Sequence, residues 1–168
     1  MAESKEYMVV EGSADIITRL TERYPDIYWA VKPSEVVVLG ITNKERPKSR
    51  RELAQIKRVT GATLALLEAN NVQAKYIVEL YYSDWNELDS VAKQWLIHNM
   101  LLHIPGPDES GLIKADVHDF AVTLDIIGVD WLNRANLPSL LDGSPVQFNK
   151  SLATRLHLKE NAEEEVGV

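Results

Sequence analysis

The chain has 168 residues, a formal net charge of −7 and no cysteine. That length suits one domain with a real hydrophobic core, and the missing thiols exclude a disulfide frame, a thiolate zinc site and a cysteine nucleophile, which fits a reducing intracellular setting. No apolar run approaches a membrane span, Met1-Ala-Glu-Ser-Lys-Glu6 is no signal peptide, and the negative charge weighs against general nucleic-acid binding.

In chain order, residues 1–12 are expected to form an arm with a short strand at Tyr7-Met-Val-Val10. Ser13 suits an N-cap for a helix through Tyr24, with Ile16, Ile17 and Leu20 as its apolar face and Pro25 as its stop. The β-branched run Glu35-Val-Val-Val-Leu-Gly-Ile41 predicts a buried strand. Next comes a basic stretch carrying Lys44, Arg46, Lys48, Arg50, Arg51, Lys57 and Arg58. Pro47 and the charges make its first half a loop, expected to be solvated. Lys44, Arg46, Lys48, Arg50 and Arg51 are its candidates for contact with a phosphate or an acidic partner. No aromatic residue is interleaved there to stack on bases. A second strand is expected at Ile56 to Thr60.

Gly61 to Asn70 predicts a helix with Leu64, Leu66 and Leu67 inward. Lys75 to Tyr82 alternates as a strand, with Tyr76, Val78, Leu80 and Tyr82 on one face and Ile77, Glu79 and Tyr81 on the other. After a turn at Ser83-Asp84, a central helix should run from Trp85 to about His103. Its inward stripe is Leu88, Ala92, Trp95, Leu96, Asn99, Leu102 and His103, which leaves His98 solvated or at an interface. Ile104-Pro-Gly-Pro107 ends it. A last helix is expected over Asp116 to Ile127, with Val117, Phe120, Ala121, Leu124 and Ile127 inward and Gly128 as its stop. Residues 136–158 form a C-terminal extension and residues 159–168 an acidic, disordered tail.

The central helix carries His98 and His103 near its end. Two imidazoles four residues apart lie about 40° from each other and can share one zinc ion. Five residues turn a helix through about 500°, so these two rings diverge by about 140° unless a π-bulge absorbs a residue. Four residues before His103 stands Asn99, a poor zinc ligand, followed by Met100, which cannot accept a proton.

Several blocks carry a family resemblance: Val38-Leu-Gly-Ile-Thr-Asn43, Ala54-Gln-Ile-Lys-Arg-Val59, Tyr76-Ile-Val-Glu79, Leu96 to Pro105, and Ala115-Asp-Val-His-Asp-Phe120 with Gly128-Val-Asp-Trp131. Over Tyr24 to Trp131 the chain resembles the Putative phage metallopeptidase family, a SprT-like branch of the zincins. Members of that family show a leucine-rich His-Glu-x-x-His-Ile and a third histidine in a His-Asp-Val-x-Asp-Phe block. The resemblance puts the first ligand position at Asn99, the general base at Met100, the second ligand at His103, which matches, and the third at Ala115. It implies an α+β fold. The expected form is a zincin-like single domain over residues 13–135, with a small three-stranded mixed sheet packed on the central helix and two to three further helices. It also implies a phage or prophage protein in the cytoplasm of an infected or lysogenic host.

The leading reading is a catalytically inactive metallopeptidase-like protein, without a cofactor, that acts as a scaffold or regulator for a protein partner. An extended partner segment could add to an edge strand. The alternative is a zinc peptidase with a rearranged site. His103, His118 and Asp116 or Asp119 would hold the ion, with His98 if the helix is bulged and with Glu79 or Glu109 as base. A third reading is an acidic inhibitor of a host nucleic-acid enzyme, presenting Glu79, Asp84, Glu87 and Asp89.

Overall fold

The structure is a computed structural model that describes residues 3–107, 111–114, 120–128, 131–133 and 136–149. The chain opens with strand β1 (Tyr7–Val9) and helix α1 (Ser13–Arg23). Gly12 precedes α1 at φ 81°, a left-handed conformation that glycine adopts without strain, so the N-cap falls on Gly12 and not on Ser13. Ser13 instead turns its hydroxyl back onto the Val10 carbonyl at 2.6 Å. The expected face, Ile17 and Leu20, is buried.

Strands β2 (Val36–Ile41), β3 (Ala54–Arg58) and β4 (Tyr76–Tyr81) complete one mixed sheet in the order β1-β2-β4-β3. β2 and β4 run parallel, and the outer pairs are antiparallel. The sheet is therefore four-stranded and not three-stranded: the expected N-terminal arm supplies the extra strand. Val36, Val38, Tyr76, Val78, Leu80 and Ala54 point into the core, and strand alternation sends Glu79 to the other face.

Helix α2 (Gly61–Ala69) joins β3 to β4 and buries none of its residues. Leu66 is 64% exposed, which corrects its inward placement, while Leu64 and Leu67 are half-buried. The link is antiparallel, so α2 sits at the end of the sheet and does not cross its face.

The expected continuous central helix is two helices, α3 (Tyr82–Glu87) and α4 (Ser90–Leu101). Ser83 and Asp84 lie within α3, so the turn comes later, at Leu88-Asp89. Asp89 caps α4 by accepting the Ala92 N–H at 2.8 Å, a bond that satisfies one of the first-turn donors. From Trp95 to Asn99, α4 is buried all round. The sheet and α1 cover part of it, and residues 136–149 cover the rest. Trp95 Nε1 donates to the Pro138 carbonyl at 2.9 Å, and the Leu140 N–H donates to Gln94 Oε1 at 2.9 Å. Tyr24 ties the same segment down, donating to the Leu140 carbonyl at 2.8 Å and accepting from the Val146 N–H at 3.0 Å.

Helix α5 (Ala121–Ile127) ends at Gly128, φ 79°, as expected. The earlier turn proposed for it, from Asp116 with Val117, lies outside the described residues, as does the tail at 159–168. No helix among the described residues is long and apolar enough to cross a membrane.

Candidate functional site

A cleft of about 440 Å³ lies between edge strand β3 and the C-terminal end of α4. Arg51, Glu52, Leu53, Ala54, Gln55 and Ile56 form one wall; Leu96, Asn99, Met100 and His103 form the other. Leu112, Trp131 and Leu132 close it. The structure thus gathers Asn99 and His103, which share the expected inward stripe, into one cavity with Met100. Of its apolar walls, Leu96 was expected on the inward stripe and Ile56 in a strand, whereas Leu53 and Leu112 carried no signal in the sequence. Trp131 was in view only as the end of a motif block.

The helix tightens as it reaches the cleft. The His103 N–H bonds to the Met100 carbonyl at 3.2 Å, a three-residue step, so His103 sits just past the last α-helical residue. Its Nδ1 lies 2.6 Å from the Ile113 carbonyl. A carbonyl only accepts, so Nδ1 carries a hydrogen and donates it to Ile113. The ring packs edge-on against Phe120, centroids 4.8 Å apart. A carbonyl on the far nitrogen is the usual support for an imidazole that ligates through the near one.

His98 is not solvated, and this overturns the expectation from the helix stripe. It is fully buried, with Nδ1 2.5 Å from the Tyr28 hydroxyl and Nε2 3.0 Å from Thr123 Oγ1. Its ring stacks on Phe148 at 5.2 Å and meets Trp95 edge-on. Both nitrogens are therefore engaged on the side of α4 away from the cleft, and His98 cannot join His103 around an ion without breaking that network.

Glu79 does not line the cleft, so it is not placed to act there as a base. It is buried on the opposite sheet face, 3.4 Å from Lys5 Nζ and 3.5 Å from Lys57 Nζ, and it accepts from the Tyr7 hydroxyl at 3.3 Å. Burial alone would raise its pKa, but the Lys57 and Lys5 charges and the two hydrogen bonds hold it below the ordinary glutamate value. The Tyr7 phenol is pushed up, by burial and then by the Glu79 charge.

The basic stretch is tied down more than a solvated loop would be. Arg46 Nε pairs with Asp84 at 2.8 Å, and its Nη1 donates to the Arg50 carbonyl. The Arg50 guanidinium lies over the Tyr81 ring, 5.7 Å from its centroid. Lys44 Nζ donates to the Glu3 carbonyl. Lys48 and Arg51 remain exposed, and Arg51 stands at the mouth of the cleft. Three of the four acidic candidates are similarly occupied: Glu79 holds two lysines, Asp84 holds Arg46 and Asp89 caps α4, while Glu87 is exposed.

Residues Asp116, His118 and Asp119, together with Ala115 and Glu109, lie outside the described residues. Among the described residues no group of three His, Asp or Glu side chains could hold a metal. Among the described residues that line the cleft, His103 and Glu52 are the only usual zinc ligands, beside the amide of Asn99 and the thioether of Met100, and that set falls short of a zinc shell.

No curated protein and no solved structure matches the chain. The profile of one family, described as Putative phage metallopeptidase, matches residues 5–136, from β1 past the cleft-lining Trp131. The chain belongs to the Putative phage metallopeptidase family.

Proposed function

We propose that this protein is a non-hydrolytic, zincin-like member of its family, and that its cleft holds an extended segment of a partner protein in a phage-infected or lysogenic host cell. The reading rests on the cleft that Asn99 and Met100 line, the two residues that the family resemblance sets at the positions of a ligand and the base. β3 is an edge strand, so its outer backbone is available to a strand laid along it. The walls offered to that strand's side chains are apolar: Leu53, Ile56, Leu96, Met100 and Trp131. A partner segment with alternating apolar residues suits them. A basic partner would also meet the chain's negative charge of −7 and associate faster for it.

Protein purified without a His tag tests this. The expected result is no stoichiometric zinc, and binding to a subset of displayed host and phage peptides that Trp131→Ala weakens by about tenfold or more. Stoichiometric zinc with peptide hydrolysis, both lost in His103→Ala, would establish the rearranged peptidase instead.

A further inference from the structure

The two edges of the sheet differ. β3 borders the cleft, whereas β1 borders solvent. Val10 donates its N–H to the Val38 carbonyl at 3.0 Å, and the Glu6 carbonyl accepts from the Thr42 N–H at 2.9 Å. Both bonds fit the register that pairs Met8 with Gly40. The even-numbered positions of β1 therefore face β2. Backbone groups alternate in direction along a strand, so those of Lys5, Tyr7 and Val9 point away from the sheet. Among the described residues no strand lies beyond them.

This open edge lacks the usual protection. Tyr7, Met8 and Val9 are 47%, 43% and 62% exposed, and the strand carries neither charge nor proline. Charges within the strand, prolines or bulges are what normally keep such an edge from pairing. Here the charges stand just outside it, with Lys5 before and Glu11 after.

We infer that β1 is the contact surface for a second copy of this chain, paired antiparallel about a two-fold axis through Met8. A two-fold contact is self-complementary, so one register fixes every pair. Centred on Met8, it sets Tyr7 opposite the partner's Val9, and each such pair exchanges both of its outward hydrogen bonds. It also sets Lys5 opposite the partner's Glu11 at both ends. Aromatic against β-branched and opposite charges are favourable cross-strand pairs. A register centred on Tyr7 would set Lys5 against Val9, and one centred on Val9 would set Glu11 against Tyr7. The charges thus select the Met8 register. Glu11 is exposed and makes no ion pair among the described residues, and Lys5 keeps 39% of its side chain exposed beside Glu79. The joined sheet runs through both copies and leaves each β3 edge and its cleft open.

Sedimentation of the full chain from about 1 to 200 µM tests the proposal, with a concentration-dependent dimer expected. Val9→Pro removes an outward N–H and leaves the β2 ladder intact, since a proline is tolerated where the strand's N–H faces solvent. Met8→Lys keeps every backbone bond and sets two like charges together on the axis. Each should raise the dimer dissociation constant about tenfold or more, with unchanged circular dichroism. The chain has no cysteine, so Met8→Cys supplies its only thiol. Residues facing each other in a non-hydrogen-bonded antiparallel pair are about 4.5 Å apart at Cα, within disulfide reach. Met8→Cys should therefore cross-link under mild oxidation much faster than Val72→Cys, at another exposed apolar site. A wild-type monomer throughout the range overturns the proposal. So does a dimer indifferent to Met8→Lys, or equal cross-linking of the two cysteine variants.

Discussion

Replacing His98 by alanine probes the centre of the molecule, because that ring joins four separate segments. It is completely buried, hydrogen-bonded to Tyr28 before the sheet and Thr123 in α5, stacked on Phe148 and edge-on to Trp95. Truncation opens a hole in a region walled by large, fixed side chains, where large-to-small changes cost about 2–4 kcal/mol. It also removes the imidazole from the buried hydroxyl of Thr123, and a deleted buried partner costs about 1–3 kcal/mol. Since alanine leaves some room for collapse or a water molecule, the combined loss should be about 3–5 kcal/mol. Domains of this kind hold about 5–15 kcal/mol in all, so the variant should fold but melt early. Urea denaturation followed by circular dichroism, extrapolated linearly to water, measures the loss. A second arm isolates the stack. Phe148→Ala loses its contact with His98 only while His98 is present, so the double variant should be less destabilised than the sum of the singles by about 0.5–1.5 kcal/mol. A loss below about 0.5 kcal/mol for His98→Ala is what a solvated surface residue would give, and it would refute the packing described here.

Other outcomes follow from the same geometry. Glu79 has a folded pKa below its ordinary value, so its ionised form stabilises the protein at neutral pH and that contribution is lost as the pH falls through the depressed value. Glu79→Gln should lower the melting temperature near pH 7 and flatten its fall on the acid side; an unchanged acid limb would show that Lys5 and Lys57 do not hold this carboxylate. A Cβ at Gly40 would stand 2.9 Å from Tyr82 Cδ2 and 3.2 Å from Val10 Cγ2, so Gly40→Ala should cost about 1–3 kcal/mol in urea titration. Arg46→Ala strands Asp84 beside the sheet end; the pair is only partly exposed, and a loss of about 1–2 kcal/mol is expected, decreasing in high salt. Asn99→His would set two imidazoles four residues apart, and isothermal titration should show zinc affinity rising at least about tenfold over wild type. No gain would mean that the two positions do not face one ion.

Local pattern in the chain was enough for most elements. A β-branched run placed β2, alternation placed β4, Ile17 and Leu20 oriented α1, and Gly128 stopped α5, because these depend on near neighbours and on the period of a helix or strand. The spacing of Asn99 and His103 likewise predicts one shared face, the resemblance adds Met100, and the structure puts all three in one cleft. Tertiary packing decided the rest. His98 looks like a solvent-facing position by period, yet its partners arrive from residues 28 and 123, far along the chain. A polar side chain can be buried once such partners satisfy it, and no local pattern announces partners that distant. Leu66 shows the converse: an apolar residue expected to face inward stays exposed, on a helix that buries none of its residues. Sequence set which surfaces each segment could present; only the meeting of distant segments determined which of them left water.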